Sequence, residues 1–127
     1  MGKEVRDDLR YTKTHEWVKV KDKVAVVGIT DYAQGELTDI VYVELPEVGK
    51  EFKKGEEMCT LESIKSVAEV YAPISGKILK VNKLLEDSPE KINESPYEEG
   101  WIVEMEIKDE RELDDLLSPE DYRKIIS

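Results

Sequence analysis

From Tyr11 to Ile107 the apolar residues come in short runs of extended-chain character, and a turn signal closes each run before it can lengthen. No strand of that length buries its apolar face alone, so the runs must stack on one another. Trp17, Val18 and Val20 lead into Lys21-Asp22-Lys23, and Val24, Val26 and Val27 resume beyond it, which predicts a hairpin. Thr30-Asp31 has the chemistry of a helix N-cap, so a short helix is expected through Leu37, weakened by Gly35. Ile40 to Leu45 reads as a strand stopped by Pro46, and Gly49 and Gly55 bracket a short segment, Glu51 to Lys54. Further strands are predicted over Glu57–Glu62, Ala68–Ala72, Lys77–Val81 and Trp101–Ile107, with a loop carrying Pro89 and Pro96 before the last. The expected architecture is an all-β sandwich or flattened barrel.

The two ends differ from this middle. Residues 1–10 are polar and read as a loosely held lead-in to a β domain over 11–108. Over 109–127 the pattern turns helical. Asp109 with Glu112 has capping-box spacing, and Ser118-Pro119-Glu120-Asp121 places Ser at N-cap, Pro at the first helical position and acids in the first turn. Leu113, Leu116 and Leu117 share one face, as do Tyr122, Ile125 and Ile126, so both helices are expected to lie on the sandwich. A faint internal echo joins Val41-Tyr42-Val43 plus Glu57–Leu61 to Ile78–Val81 plus Trp101–Met105, a strand-loop-strand unit that occurs twice.

Charge and composition remove whole classes of function. With 19 Lys+Arg and 30 Asp+Glu among 127 residues the net charge is −11, the wrong sign for a nucleic-acid binder. No apolar run approaches the ~20 residues that span a bilayer, and MGKEVRDDLR lacks a secretory h-region. A cytoplasmic monomer without membrane or nucleic-acid partners is therefore expected. Cys59, the single cysteine, allows neither an internal disulfide nor a Cys-based zinc site, and strand alternation turns it inward. His15, the only histidine, is expected to be packed or hydrogen-bonded beside Trp17, with no metal site. Acid pairs such as Glu56-Glu57 and Asp114-Asp115 read as solvated surface.

One segment carries chemistry. Counting outward from a turn at Ser63–Ser66 pairs Leu61 with Ala68, Thr60 with Glu69, Cys59 with Val70 and Met58 with Tyr71, so a hairpin over 57–72 holds Ile64 and Lys65 at its tip. A lysine at a turn is by itself ordinary surface. Here Glu62-x-x-Lys65 is followed by Ala72-Pro73-x-x-Gly76-Lys77-Ile78, and together these resemble the attachment site of lipoyl carrier domains. The resemblance extends through Tyr11-Thr12-x-Thr14-His15-Glu16-Trp17-Val18, Gly28-Ile29-Thr30-Asp31-x-Ala33, Val41-x-Val43-Glu44-Leu45-Pro46-x-Val48-Gly49, Val81-Asn82, Asn93-x-Ser95-Pro96-Tyr97 and Gly100-Trp101. Taken in order, these blocks resemble the glycine cleavage system H proteins.

That resemblance implies a barrel-sandwich hybrid, the lipoyl/biotinyl-carrier fold, with short helices and a C-terminal helical tail. It implies a carrier that is not itself an enzyme, with lipoic acid joined as an amide to Lys65. Glu62, Ser63, Ile64 and Ser66 are then the recognition residues around the attachment point. Thr14, Glu16 and Glu69 shelter the loaded arm, with Thr and Glu where many members carry Ser and Asp at the first and last of these. Read from the residues alone, the alternative for Glu16 and Glu69 is a solvated strand-face acid with no special task, and for Glu69, on the exposed face of the hairpin, the two readings stand about even. The partners implied are a pyridoxal-phosphate glycine decarboxylase, a tetrahydrofolate-dependent aminomethyltransferase, a dihydrolipoamide dehydrogenase, and a lipoate ligase or lipoyl/octanoyl transferase. The carrier would move the aminomethyl group of glycine from the first to the second and be reoxidised by the third. Biotin is disfavoured because Lys65 lies between Ile64 and Ser66 and not between methionines. An H-like relay in lipoate assembly, and an unmodified adaptor in which Lys65 is incidental, remain as alternatives.

Overall fold

A two-residue turn opens the architecture. Asp22, at φ 55°, joins β2 (Glu16–Lys21) to β3 (Val24–Ile29), with Lys21 opposite Val24 and Glu16 opposite Ile29. In this computed structural model, which describes residues 3–127, that hairpin extends into a six-stranded antiparallel sheet. Its order is β1 (Arg10–Tyr11), β2, β3, β9 (Val103–Ile107), β8 (Gly76–Val81) and β5 (Glu51–Phe52). A second sheet holds three strands in the order β4 (Ile40–Glu44), β6 (Glu57–Ser63) and β7 (Val67–Tyr71). Val18, Val27, Ile78 and Met105 from the first sheet meet Val43, Leu61 and Val70 from the second in one buried core, the flattened sandwich expected from the strand spacing.

The strand-loop-strand echo is real in space: β4 pairs with β6, β8 pairs with β9, and each pair carries a register shift in its first strand, at Ile40/Tyr42 and at Ile78/Lys80. Helix α1 (Asp31–Leu37) starts as expected, with Thr30 Oγ1 accepting from Ala33 N. The proline-bearing loop is more ordered than expected. It folds into two single-turn helices, α2 (Leu84–Asp87) and α3 (Lys91–Glu94), which bury Leu85 and Ile92 in the core.

The ends depart from expectation in three ways. The lead-in is held, not loose: Leu9 is buried, Arg6 pairs with Glu98, Tyr97 donates to Glu4 O, and Arg6 N donates to Tyr11 Oη; residues 1 and 2 lie outside the described part. The first tail helix is a 3-10 helix, Glu110–Asp115, and not a capping-box helix. Asp109 accepts from Arg111 N, while Glu112 turns away to accept from both the backbone and hydroxyl of Ser75. In α4 (Pro119–Ile126), capped by Ser118 as expected, Tyr122 and Ile126 are buried but Ile125 faces solvent. Helix α4 closes a second cluster with Leu9, Tyr11, Trp17 and Tyr97, where the Tyr11 and Tyr122 rings stack at 4.6 Å.

Candidate functional site

Strands β6 and β7 pair in the counted register at Leu61/Ala68, Thr60/Glu69 and Cys59/Val70. The count fails one step further down. A bulge sets Tyr71 opposite Glu57, so Met58 and Cys59 both turn into the core. At the other end Ser63 builds the turn: its N donates to Ser66 O at 2.8 Å, and its hydroxyl accepts from Ser66 N and Lys65 N. Ile64 N donates to Asp39 O, which moors the tip to the chain entering β4. Ser63 and Ser66 therefore serve the turn, while Glu62, Ile64 and Lys65 face solvent. The Lys65 ammonium has no ion pair among the described residues.

Beside β7 lies a cleft of about 300 Å³ between the hairpin and α1. Thr14, Glu16 and Glu69, distant in sequence, all line it. Ile29, Ala33, Leu37, Leu61 and Val70 give it an apolar lining, and Glu36 adds a third carboxylate. No lysine or arginine among the described residues lines it. An apolar cleft with carboxylates and hydroxyls and no competing cation suits a hydrocarbon chain ending in an amine.

Glu16 is not a solvated strand-face acid. It is 1% exposed, and its carboxylate joins three segments: Oε1 accepts from Thr12 Oγ1 and Thr14 Oγ1, each at 2.5 Å, and Oε2 accepts from Tyr71 N at 3.1 Å. Burial pushes its pKa above the usual glutamate range, while the hydrogen bonds from Thr12, Thr14 and Tyr71 pull the other way. Glu69 is half-buried and accepts from Thr60 Oγ1 at 2.8 Å, so it too is oriented by a neighbour. His15 is packed and hydrogen-bonded, as expected, but its neighbours are Tyr32 and Tyr122. With φ at 72° its ring lies against theirs, with Nδ1 2.8 Å from Tyr122 Oη, and not beside Trp17. Tyr122 Oη in turn lies 2.6 Å from Thr30 Oγ1, the cap of α1, so the C-terminal helix braces the wall of the cleft.

A family model described as "Glycine cleavage H-protein" matches residues 9–127. The chain belongs to the glycine cleavage H-protein family. A "Glycine cleavage system H protein" of Thermotoga maritima is 58% identical over 115 residues, covering 91% of this chain and 93% of that relative. One of Staphylococcus haemolyticus is 55% identical over 122 residues, covering 96% and 97%. The crystal structure of an H protein from Mycobacterium marinum superposes with a TM-score of 0.84 at 34% identity, over 94% of this chain and 97% of that one.

Within this H-protein fold, sequence reasoning missed Thr12 as a partner of Glu16 and the α1 wall of Tyr32, Glu36 and Leu37. Thr12 lies four residues before Glu16, but the residues between form neither helix nor strand, and it is a turn through Lys13 and Thr14 that brings the two together. Cys59 has no reactive character: burial, with Glu69 and Glu44 adding, pushes its thiol up to about 12.

Proposed function

We propose that this chain is the lipoyl carrier of glycine cleavage, a protein substrate that its partner enzymes act upon in turn. The observation that supports it best is the juxtaposition of a solvated lysine, Lys65, at a moored hairpin tip with a cation-free cleft that gathers Thr14, Glu16 and Glu69. Lipoate, held as an amide on Lys65, would supply a disulfide–dithiol couple suited to carrying the aminomethyl group of glycine among the decarboxylase, the aminomethyltransferase and the dehydrogenase. The chain's own residues do the rest. Lys65 tethers, which replaces diffusion by a high local concentration at each partner. Glu16 and Glu69 hold the protonated amine by charge, Thr14 and Thr12 keep the Glu16 carboxylate aimed, and the apolar lining excludes water. The protein works in the cytoplasm as a monomer.

The test is the intact mass of the protein made with an active lipoate ligase, beside Lys65→Arg. One lipoyl amide on the parent and none on the variant is expected, followed by loading in a reconstitution with the decarboxylase. An unmodified parent, or acylation at another lysine, overturns the site. Acylation without loading assigns the chain to lipoyl relay instead.

A further inference from the structure

Helix α1 lines the cleft, yet packing does not fix it. None of its residues is fully buried, and Tyr32, Ala33 and Leu37 are only partly buried against the two clusters. A helix so short is marginal in isolation, and Gly35 weakens it further. Its C-terminal end carries strain as well. Thr38, just beyond Leu37, stands at φ 63° and ψ −149°, a conformation that glycine tolerates and a β-branched residue keeps only where its surroundings enforce it. The enforcing group is Asn93. Its Nδ2 donates to Thr38 O at 2.8 Å and to Gln34 Oε1 at 2.9 Å, and its Oδ1 accepts from Ile40 N at 2.9 Å. Asn93 belongs to α3, which the fully buried Ile92 beside it pins to the core. The bonds to Thr38 O and Ile40 N straddle Asp39, whose carbonyl oxygen accepts from Ile64 N and so moors the hairpin tip. On the other side of Thr38 lie Glu36 and Leu37, which line the cleft. One amide thus grips a segment whose two ends serve the tip that carries Lys65 and the wall of the cleft.

We propose that Asn93 is a positioning residue of the carrier site: it holds the root of the lipoyl arm and the α1 wall at a fixed spacing, so that the amine at the arm's end lands beside Glu16 and Glu69. The inference rests on the lipoyl-carrier reading and deepens it. An arm of fixed length finds its seat only while tether and seat keep their separation, and a misplacement of about 1 Å already matters. Asn93 touches neither arm nor amine and acts through Asp39 and Leu37. A neutral amide is what the place requires, since Thr38 O and Gln34 Oε1 accept while Ile40 N donates. An aspartate would keep the Ile40 bond and set its second oxygen against both acceptors. With the wall loosened, water reaches the loaded arm, which is an N,S-acetal. Water adds to the methylene carbon, and the C–S and C–N bonds break. The oxygen leaves in formaldehyde, and the two hydrogens of water pass to the thiol and to ammonium, with no change of oxidation state.

Asn93→Asp, and the milder Gln34→Ala on the exposed side of the same contact, are compared with the parent in two ways. In lipoate-free protein, amide hydrogen exchange is read along the chain. Asn93→Asp should speed exchange over residues 34–40 and at Ile64 about tenfold or more, and Gln34→Ala should speed it less. The β2–β3 and β8–β9 pairs should match the parent. In holo-protein loaded by the decarboxylase and then separated from it, release of ammonium should be roughly fivefold faster for Asn93→Asp. Reduction of the unloaded, oxidised arm by the dehydrogenase, which makes no use of the cleft, should run at the parental rate. Unchanged exchange over 34–40, or a parental ammonium release in Asn93→Asp, overturns the proposal. So does faster exchange across both sheets, which would make Asn93 a support of the whole fold. Ammonium release from the parent as fast as from free aminomethyl-dihydrolipoamide overturns the cleft as the shelter, and this role for Asn93 with it. A parent that is never acylated or loaded overturns the carrier reading itself.

Discussion

Glu16 is the residue with most at stake, because a buried carboxylate is tolerable only when its lone pairs are used. Three donors use them, and burial still holds its pKa above the usual glutamate range. The folded state therefore binds this proton more tightly than the unfolded chain. The stability this contributes is complete below the ordinary glutamate range and is lost as pH rises through the raised folded value. In the lipoate-free protein, the stability gap between the parent and Glu16→Gln should accordingly move against the parent as pH rises through that window. Urea melts across a pH series would show it, and a gap independent of pH would refute the linkage. Sequence alone left Glu16 between a sheltered and a solvated reading. Its neighbours in the fold, Thr12 and the Tyr71 backbone, come from a turn and from a strand 55 residues on, and no local pattern announces either.

At the scale of elements, Gly76 marks where β8 begins against β9. A Cβ there would lie 2.1 Å from the Glu106 carbonyl oxygen, which is backbone and cannot step aside. Gly76→Ala should cost about 3 kcal/mol or more, read as a lowered urea midpoint with an unchanged slope. A variant as stable as the parent would mean that the two strands separate at no cost. Strands, the Thr30 and Ser118 caps and the Asp22 turn were legible because each rests on chemistry within a few residues. The bulges at Ile40/Tyr42 and Glu57/Cys59 were not, since a bulge is a compromise between two strands and is written in neither. The capping box at Asp109/Glu112 misled for a related reason. Glu112 finds the Ser75 backbone and hydroxyl, so a tertiary contact displaced the local one.

At the scale of the whole molecule, the charge of −11 and the carboxylates around the Lys65 end imply partners with basic rims. Raising ionic strength should therefore raise the KM of the decarboxylase for the holo-protein while leaving kcat nearly unchanged. A salt-independent KM would remove electrostatic steering from the account. The layered β architecture could be read from strand spacing, but the assignment of strands to sheets could not. In the large sheet β9 lies between β3 and β8, with the Tyr11–Leu117 bridge at the margin. A growing chain thus lacks a central strand of its larger sheet until Val103–Ile107 has been made. The β2–β3 hairpin has no partner on its β3 side until then, and closure of the larger sheet waits on contacts distant in sequence. The hairpin that carries Lys65 belongs to the other sheet, whose three strands are all present once Tyr71 has been made, so the tip and the larger sheet take shape at different stages of synthesis.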